Sequence, residues 1–203
     1  PASAGRHGAT PWAAANAVQG RAAEAFARED YGAARTLFTE AREGFETSAR
    51  AAEAEVARLT AALAEATRLR DAGRFSEALE KFEAVLRIIP RDSQALAHAG
   101  SCLLALERPE EAEDYLKRAL QARPENDFAC TELGRLRALR NDLPGAIEMF
   151  ERAARANPYA PEPHYFLAGI YYAQRRRQDF ERERAAFEKL RGVGGSLMPL
   201  PGE

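Results

Sequence analysis

His98 and Cys102 stand four residues apart in a stretch, 94–106, whose apolar spacing predicts a helix. An imidazole and a thiolate one turn apart share a helix face, a spacing that can ligate zinc. Two ligands do not complete a site. The remaining candidates, Cys130 and His164, fall on other helices at other heights, and His7 lies near the start of the chain. Cys102 and Cys130 differ by six residues in register, roughly 9 Å along a helix axis, which argues against a disulfide. Both are expected to be small buried thiols, and no metal site is expected. No Ser/His/Asp set, Gly-rich phosphate loop or convergent carboxylate pair occurs, and Gly194 and Gly195 fall in a C-terminal tail. No catalytic residue and no cofactor is therefore expected. Arg175, Arg176 and Arg177, with Arg135, Arg137 and Arg140, could form a basic patch. Asp179, Glu181 and Glu183 dilute it, and three arginines closing a helix over 162–177 suit its dipole on their own.

The elements that must hold these side chains are set by a repeat. Pro90, Pro124 and Pro158 are spaced 34 residues apart. With repeats starting at Leu59, Ser93, Asp127 and Pro161, position 8 reads Ala66, Gly100, Gly134 and Ala168. Position 20 reads Ala78, Ala112, Ala146 and Phe180; position 24 reads Phe82, Leu116, Phe150 and Arg184; position 27 reads Val85, Ala119, Ala153 and Phe187. Small residues at 8 and 20 let two helix backbones approach, and the large residue at 24 fills the space beside that contact. Proline at 32 ends the second helix, because its ring blocks the helical hydrogen bond and restrains its predecessor. A period of this length marks stacked helical hairpins.

The pattern resembles the tetratricopeptide repeat (TPR), whose motif has small residues at 8 and 20, a large one at 24 and proline at 32. The resemblance implies an all-α, right-handed superhelix (α-solenoid) of antiparallel helix pairs. It also implies partner binding, and names no partner.

Composition is compatible with such a scaffold. Charged residues are 30% and the formal net charge is -2, which argues against a general nucleic-acid or anionic-membrane surface. No uncharged run approaches the roughly 20 apolar residues of a membrane helix. Residues 7–20 lack formal charge but hold Ala, Asn, Gln and Pro, unlike a signal-peptide core. The chain opens on Pro1, so a targeting segment is expected outside it, and the compartment stays open between bacterial cytoplasm and periplasm. The alanine- and arginine-rich usage points to a bacterial source.

Along the chain, residues 1–12 are expected to be disordered and 192–203 to form a flexible tail. Between them, 13–191 reads as the solenoid: a degenerate repeat over 15–58, repeats over 59–92, 93–126 and 127–160, and a capping pair over 161–191. In the degenerate repeat Ala34, Phe38 and Ala41 echo positions 20, 24 and 27, but 44 residues upstream of the next repeat. The ten extra residues hold no proline. Phe38, Ala41, Phe45, Ala49, Ala52, Val56, Leu59, Leu63 and Ala66 follow at steps of three or four, which predicts one long helix over 33–71, on the order of 58 Å. A kink near Gly44 or Thr47–Ser48 is the alternative. In the last pair, Glu181, Arg182, Glu183, Arg184, Glu188 and Lys189 read as a wet outer face.

In a TPR stack, positions 2, 5, 9 and 12 of the first helices line the concave surface. The resemblance thereby nominates Leu104, Phe128, Thr131, Arg135, Glu162, Tyr165 and Tyr172 as a partner-binding strip. Aromatics and arginine are common interface anchors, and the competing role for the tyrosines is local packing at the chain's end. The carboxylate clamp of chaperone-binding TPR proteins needs Lys and Asn at positions occupied here by Leu63 and Thr67. It then needs Asn where His98 stands, and Lys and Arg where Phe128 and Glu132 stand; that clamp is absent. The expected function is a non-enzymatic scaffold binding a peptide or helix of another protein in the concave groove. The alternative is a structural subunit of a larger bacterial assembly (envelope, pilus or secretion type), or a homodimer, joined through helix 33–71.

Overall fold

The computed structural model describes residues 10–191, which are helical almost throughout. In chain order the elements are α1 (Pro11–Ala27), α2 (Tyr31–Asp71), α3 (Phe75–Ile88), α4 (Ser93–Ala105), α5 (Pro109–Ala122), α6 (Asp127–Leu139), α7 (Leu143–Ala156), α8 (Glu162–Ala173) and α9 (Arg177–Arg191). They fall into two compact units that divide between residues 61 and 62, inside α2.

The first unit is a hairpin of α1 on the first part of α2. Small residues set the approach: Ala15, Ala22, Ala34 and Ala41 are buried. Gly44 lies so close to α1 that a β-carbon on it would stand 2.9 Å from the Ala15 side chain. Trp12 and Phe45 seal one end, ring centroids 5.4 Å apart, and Phe26 meets Tyr31 at 5.5 Å beside the turn. α2 is one 41-residue helix, two residues longer at its start than the spacing predicts. It does not break at Gly44 or Thr47–Ser48. Thr47 and Ser48 donate back to the carbonyls of Glu43 and Gly44, each at 2.8 Å.

The second unit stacks the end of α2 on α3, then α4 on α5, α6 on α7 and α8 on α9. The ladder positions form its core: Ala66, Ala78, Phe82, Ala112, Leu116, Ala119, Ala146, Phe150, Ala153, Ala168 and Phe187 are fully buried. Position 8 faces position 24 of the same repeat. A β-carbon at Gly100 would come within 2.8 Å of Leu116, and one at Gly134 within 2.7 Å of Phe150. Side-chain caps open α4 and α6: Asp92 accepts from the Ala95 N–H at 2.7 Å and Asn126 from the Ala129 N–H at 2.8 Å. Asn126 also ties the repeat closed, its Nδ2 donating to Ser93 Oγ at 2.8 Å. The prolines act through the residue before them: Ile89, Arg123 and Asn157 are extended, with φ of -121, -144 and -136, and each helix ends one residue earlier.

The backbone carries a second ladder. Between the two helices of every pair one residue takes the left-handed conformation: Glu29, Gly73, Glu107, Asn141 and Arg175, with φ between 58 and 76. Their spacing, 44 and then 34 three times, repeats the sequence period, although only glycine and asparagine favour that conformation.

Three expectations need correction. Residues 10–12, placed in a disordered segment, begin α1: Thr10 Oγ1 accepts from the Ala13 N–H at 3.3 Å, with Pro11 at the first helical position, where a missing N–H is harmless. Trp12 is thus part of the first helix. Arg175–Arg177 do not close a helix. α8 ends at Ala173, Arg175 has φ of 58 and Arg177 starts α9, because the turn falls at the same repeat position as in the other pairs. Glu183 is not on the wet face of α9. It is buried, accepting from His164 Nδ1 at 2.8 Å and Arg182 Nε at 2.9 Å. Burial pushes its carboxyl up, and the His164 and Arg182 bonds outweigh this and leave it below the usual range. The tail at 192–203 and residues 1–9 lie outside the described residues.

Candidate partner-binding groove

The first helices of successive repeats touch across repeat boundaries, α4 with α6 and α6 with α8. Among the described residues α5 makes no such contact with α7, nor α7 with α9. The first helices therefore lie on the inside of the curve, and their outward residues form a concave face.

On that face a pocket of about 320 Å³ lies between α6 and α8, with Asn157 and Ala160 of the α7–α8 connection at its edge. Phe128, Thr131, Glu132 and Arg135 line it from α6, Glu162 and Phe166 from α8. Phe128 stands next to a layer of ring and cation. The His98 ring lies 4.6 Å from it, and the Arg70 guanidinium lies over it at 5.3 Å. Arg70 also donates to Nδ1 of His98 and to Asp71 Oδ1 at 2.7 Å. Burial, then the Arg70 charge, pushes His98 down to about 4, so its ring is neutral at pH 7 with Nδ1 accepting. Thr131 Oγ1 donates to the Asp127 carbonyl at 2.9 Å. Phe166 stacks on Phe150 at 5.0 Å with an interplanar angle of 16°, so the pocket wall is continuous with the core.

Glu132 is the unusual residue. It is only 5% exposed, and burial raises its carboxyl above the usual range against the pull of Arg135 and Arg70. Both its oxygens accept from Arg135 Nη1, at 3.0 and 2.9 Å. Arg135 in turn sits 5.8 Å from the Phe166 ring centroid.

The strip nominated from the sequence is thus divided. Phe128, Thr131, Arg135 and Glu162 come together. Leu104 is half-buried on α4 and does not line this pocket. Tyr165 reaches the pocket only through Phe166, 5.4 Å away; its other neighbour is Phe187 of α9 at 5.6 Å. Tyr172, 51% exposed, packs on Phe180 at 5.4 Å and lines a separate pocket of about 590 Å³ with Arg175 and Arg177. Seven residues apart, both tyrosines face α9. Glu132, Phe166 and the Arg70–His98 pair were not nominated. His98, Glu132 and Phe166 all stand at position 6 of their repeats, one residue beyond the inward-facing position 5, and that shared register is the signal in the sequence.

The His98–Cys102 pair has other partners. His98 Nδ1 takes the Arg70 bond, and burial pushes the Cys102 thiol up to about 11, unlike a thiolate ligand. Cys130 is likewise free and buried. Among the described residues no group of three or more His, Cys, Asp and Glu is placed to share a metal, and no helix is long and apolar enough to cross a membrane.

These features define a class: a helical-repeat solenoid with an inward-facing groove. The family model described as tetratricopeptide repeat matches residues 63–127 and 131–195. That is more than half the chain, which belongs to the tetratricopeptide repeat family. A curated relative, the probable UDP-N-acetylglucosamine--peptide N-acetylglucosaminyltransferase SPINDLY of Hordeum vulgare, is 32% identical over 109 residues. That stretch is 54% of this chain and 12% of that protein. Among solved structures, a thermophilic TPR protein of Thermus thermophilus, TTC0263, has a TM-score of 0.60 at 19% identity, over 89% of this chain and 93% of its own. YrrB, described as a TPR protein with an unusual peptide-binding site, has a TM-score of 0.52 at 18% identity, over 87% and 86%. At these identities the structural likeness bears on the fold.

Proposed function

We propose that the chain is a non-enzymatic scaffold that captures a segment of another protein on the concave face of the second unit, against Phe128, Arg135 and Phe166. The observation that carries this reading is the pocket between α6 and α8: two aromatic walls and an arginine face it, the residue types that anchor protein interfaces. Peptide capture by YrrB, as its description states, is in keeping with it. The activity named for SPINDLY belongs to a protein of which this chain spans 12%, and it is not carried over here. Peptides selected from a displayed random library on the intact chain, then synthesised with a fluorescent label, test the reading. Their affinity should fall about tenfold or more with Phe128→Ala and with Phe166→Ala. Affinity unchanged in both folded variants, or no selectable peptide, refutes it.

A second reading has its own observation. In α2, Phe38 is 42% and Val56 63% exposed, apolar side chains suited to packing in a larger assembly or a homodimer. Phe38→Glu with Val56→Glu should then lower the mass seen by light scattering while Phe128→Ala leaves it unchanged.

A further inference from the structure

The pocket between α6 and α8 carries an excess of negative charge. Arg70 stands beside it, over Phe128, and Asp127, Glu132 and Glu162 line it together with a single cation, Arg135. Nη1 of Arg135 donates to both oxygens of Glu132. Asp127 Oδ2 accepts from an uncharged donor, Asn157 Nδ2, at 2.8 Å, and Glu162 makes no ion pair among the described residues. The aromatic walls suit the same kind of occupant. Phe128 and Phe166 already hold a guanidinium near the ring, Arg70 at 5.3 Å and Arg135 at 5.8 Å, and ring faces attract cations.

We infer that the segment taken by this groove carries a lysine or arginine whose side chain enters the pocket among Asp127, Glu132 and Glu162. The inference rests on the groove reading above and specifies its partner. The two signs of ligand charge are not equivalent here. An acidic side chain would meet three carboxylates. Against them it would have only the Arg135 donors that the Glu132 bonds do not use, Nε and Nη2, so repulsion outweighs attraction. A basic side chain breaks nothing: it adds to Asp127 and Glu162, which lack a cation, and the Glu132–Arg135 pair stays intact. Asp127 and Glu162 each stand in the first turn of a helix, where the dipole favours an acid. That accounts for each carboxylate alone, and not for their meeting Glu132 between two phenylalanines.

The test uses the intact chain and pools of labelled heptapeptides in which one position is fixed as arginine, lysine, citrulline or glutamate and the others are mixed. Citrulline keeps the shape of arginine without its charge. Arginine or lysine pools should bind about tenfold more tightly than citrulline pools. The advantage should shrink to less than about twofold in Glu162→Gln with Asp127→Asn. It should also shrink on raising salt from about 50 to about 500 mM. Glu162→Gln alone, at an exposed position, should remove part of it while lowering the melting temperature by no more than about 4 °C, the loss of a first-turn acid. Equal binding of citrulline and arginine pools, or tighter binding of glutamate pools, overturns the inference. If that happens while Phe128→Ala still weakens binding, only the charge assignment fails. If no pool binds, or binding ignores Phe128→Ala, the groove reading fails with it.

Discussion

Replacing Gly134 by alanine sets two effects of opposite sign against each other at the closest approach of α6 and α7. A β-carbon there would stand 2.7, 2.8 and 3.0 Å from Cε1, Cδ1 and Cζ of Phe150. Carbon–carbon contact is comfortable near about 3.5 Å and beyond, so the ring would have to retreat by roughly 0.8 Å. It has nowhere to go: Phe150 is fully buried and stacked on Phe166 at 5.0 Å. Overpacking of this kind costs about 1–3 kcal/mol. Alanine in place of glycine in a helix interior contributes about 1 kcal/mol in the other direction. The net expectation for Gly134→Ala is destabilisation by about 1 kcal/mol. Phe150→Ala removes the clashing ring altogether, so the double variant should be more stable than the sum of the single changes by about 1 kcal/mol or more. Urea unfolding followed by circular dichroism measures all four corners of the cycle, with equal slopes as the check that the same surface is exposed. A Gly134→Ala chain as stable as the wild type or more so, or strict additivity with Phe150→Ala, would refute the close-packing account of positions 8 and 24.

Three other residues each carry a prediction. The pKa of His98 is held near about 4, below the ordinary 6.5, so its contribution to stability is full above about pH 6.5 and is lost as pH falls through 4, up to about 3 kcal/mol. Stability measured from pH 7 to 4 should therefore fall more steeply for the wild type than for His98→Leu; parallel slopes would contradict this. Glu107 holds φ of 58, so Glu107→Gly should raise stability by about 1 kcal/mol, read as a higher urea midpoint. Asn126 caps α6 and binds Ser93 from a buried position. Asn126→Ala should cost about 2 kcal/mol in the same assay, more than an exposed cap.

The architecture was legible because its determinants are local and repeated. Small residues at 8 and 20, a large one at 24 and proline at 32 each act through a contact or a backbone restraint inside one hairpin, so a period in sequence becomes a period in space. The continuity of α2 was readable for the same reason: its stripe runs through with no proline. Glu107 and Arg175 show the limit on the turn side. Their left-handed conformation is imposed by the hairpin, against local preference, and so nothing among three consecutive arginines marks the boundary between α8 and α9. The groove was half legible. Phe128, Thr131, Arg135 and Glu162 sit where repeat register places them. Tyr165 and Tyr172 share their side of α8 but turn to Phe187 and Phe180 of α9, because no further repeat follows to leave them on an open inner face among the described residues. Glu132 was out of reach: its burial depends on α6 and α8 meeting, and a glutamate in a helix otherwise reads as solvated.

The central claim is that the inner face at α6 and α8 is the working surface. Its most direct test is titration of the isotope-labelled chain with one selected, Phe128-dependent peptide while backbone amide resonances are followed. The account predicts that shift changes concentrate on α6 and α8 around Phe128, Glu132, Arg135 and Phe166. Changes concentrated instead on α2 around Phe38 and Val56, with α6 and α8 silent, would contradict it.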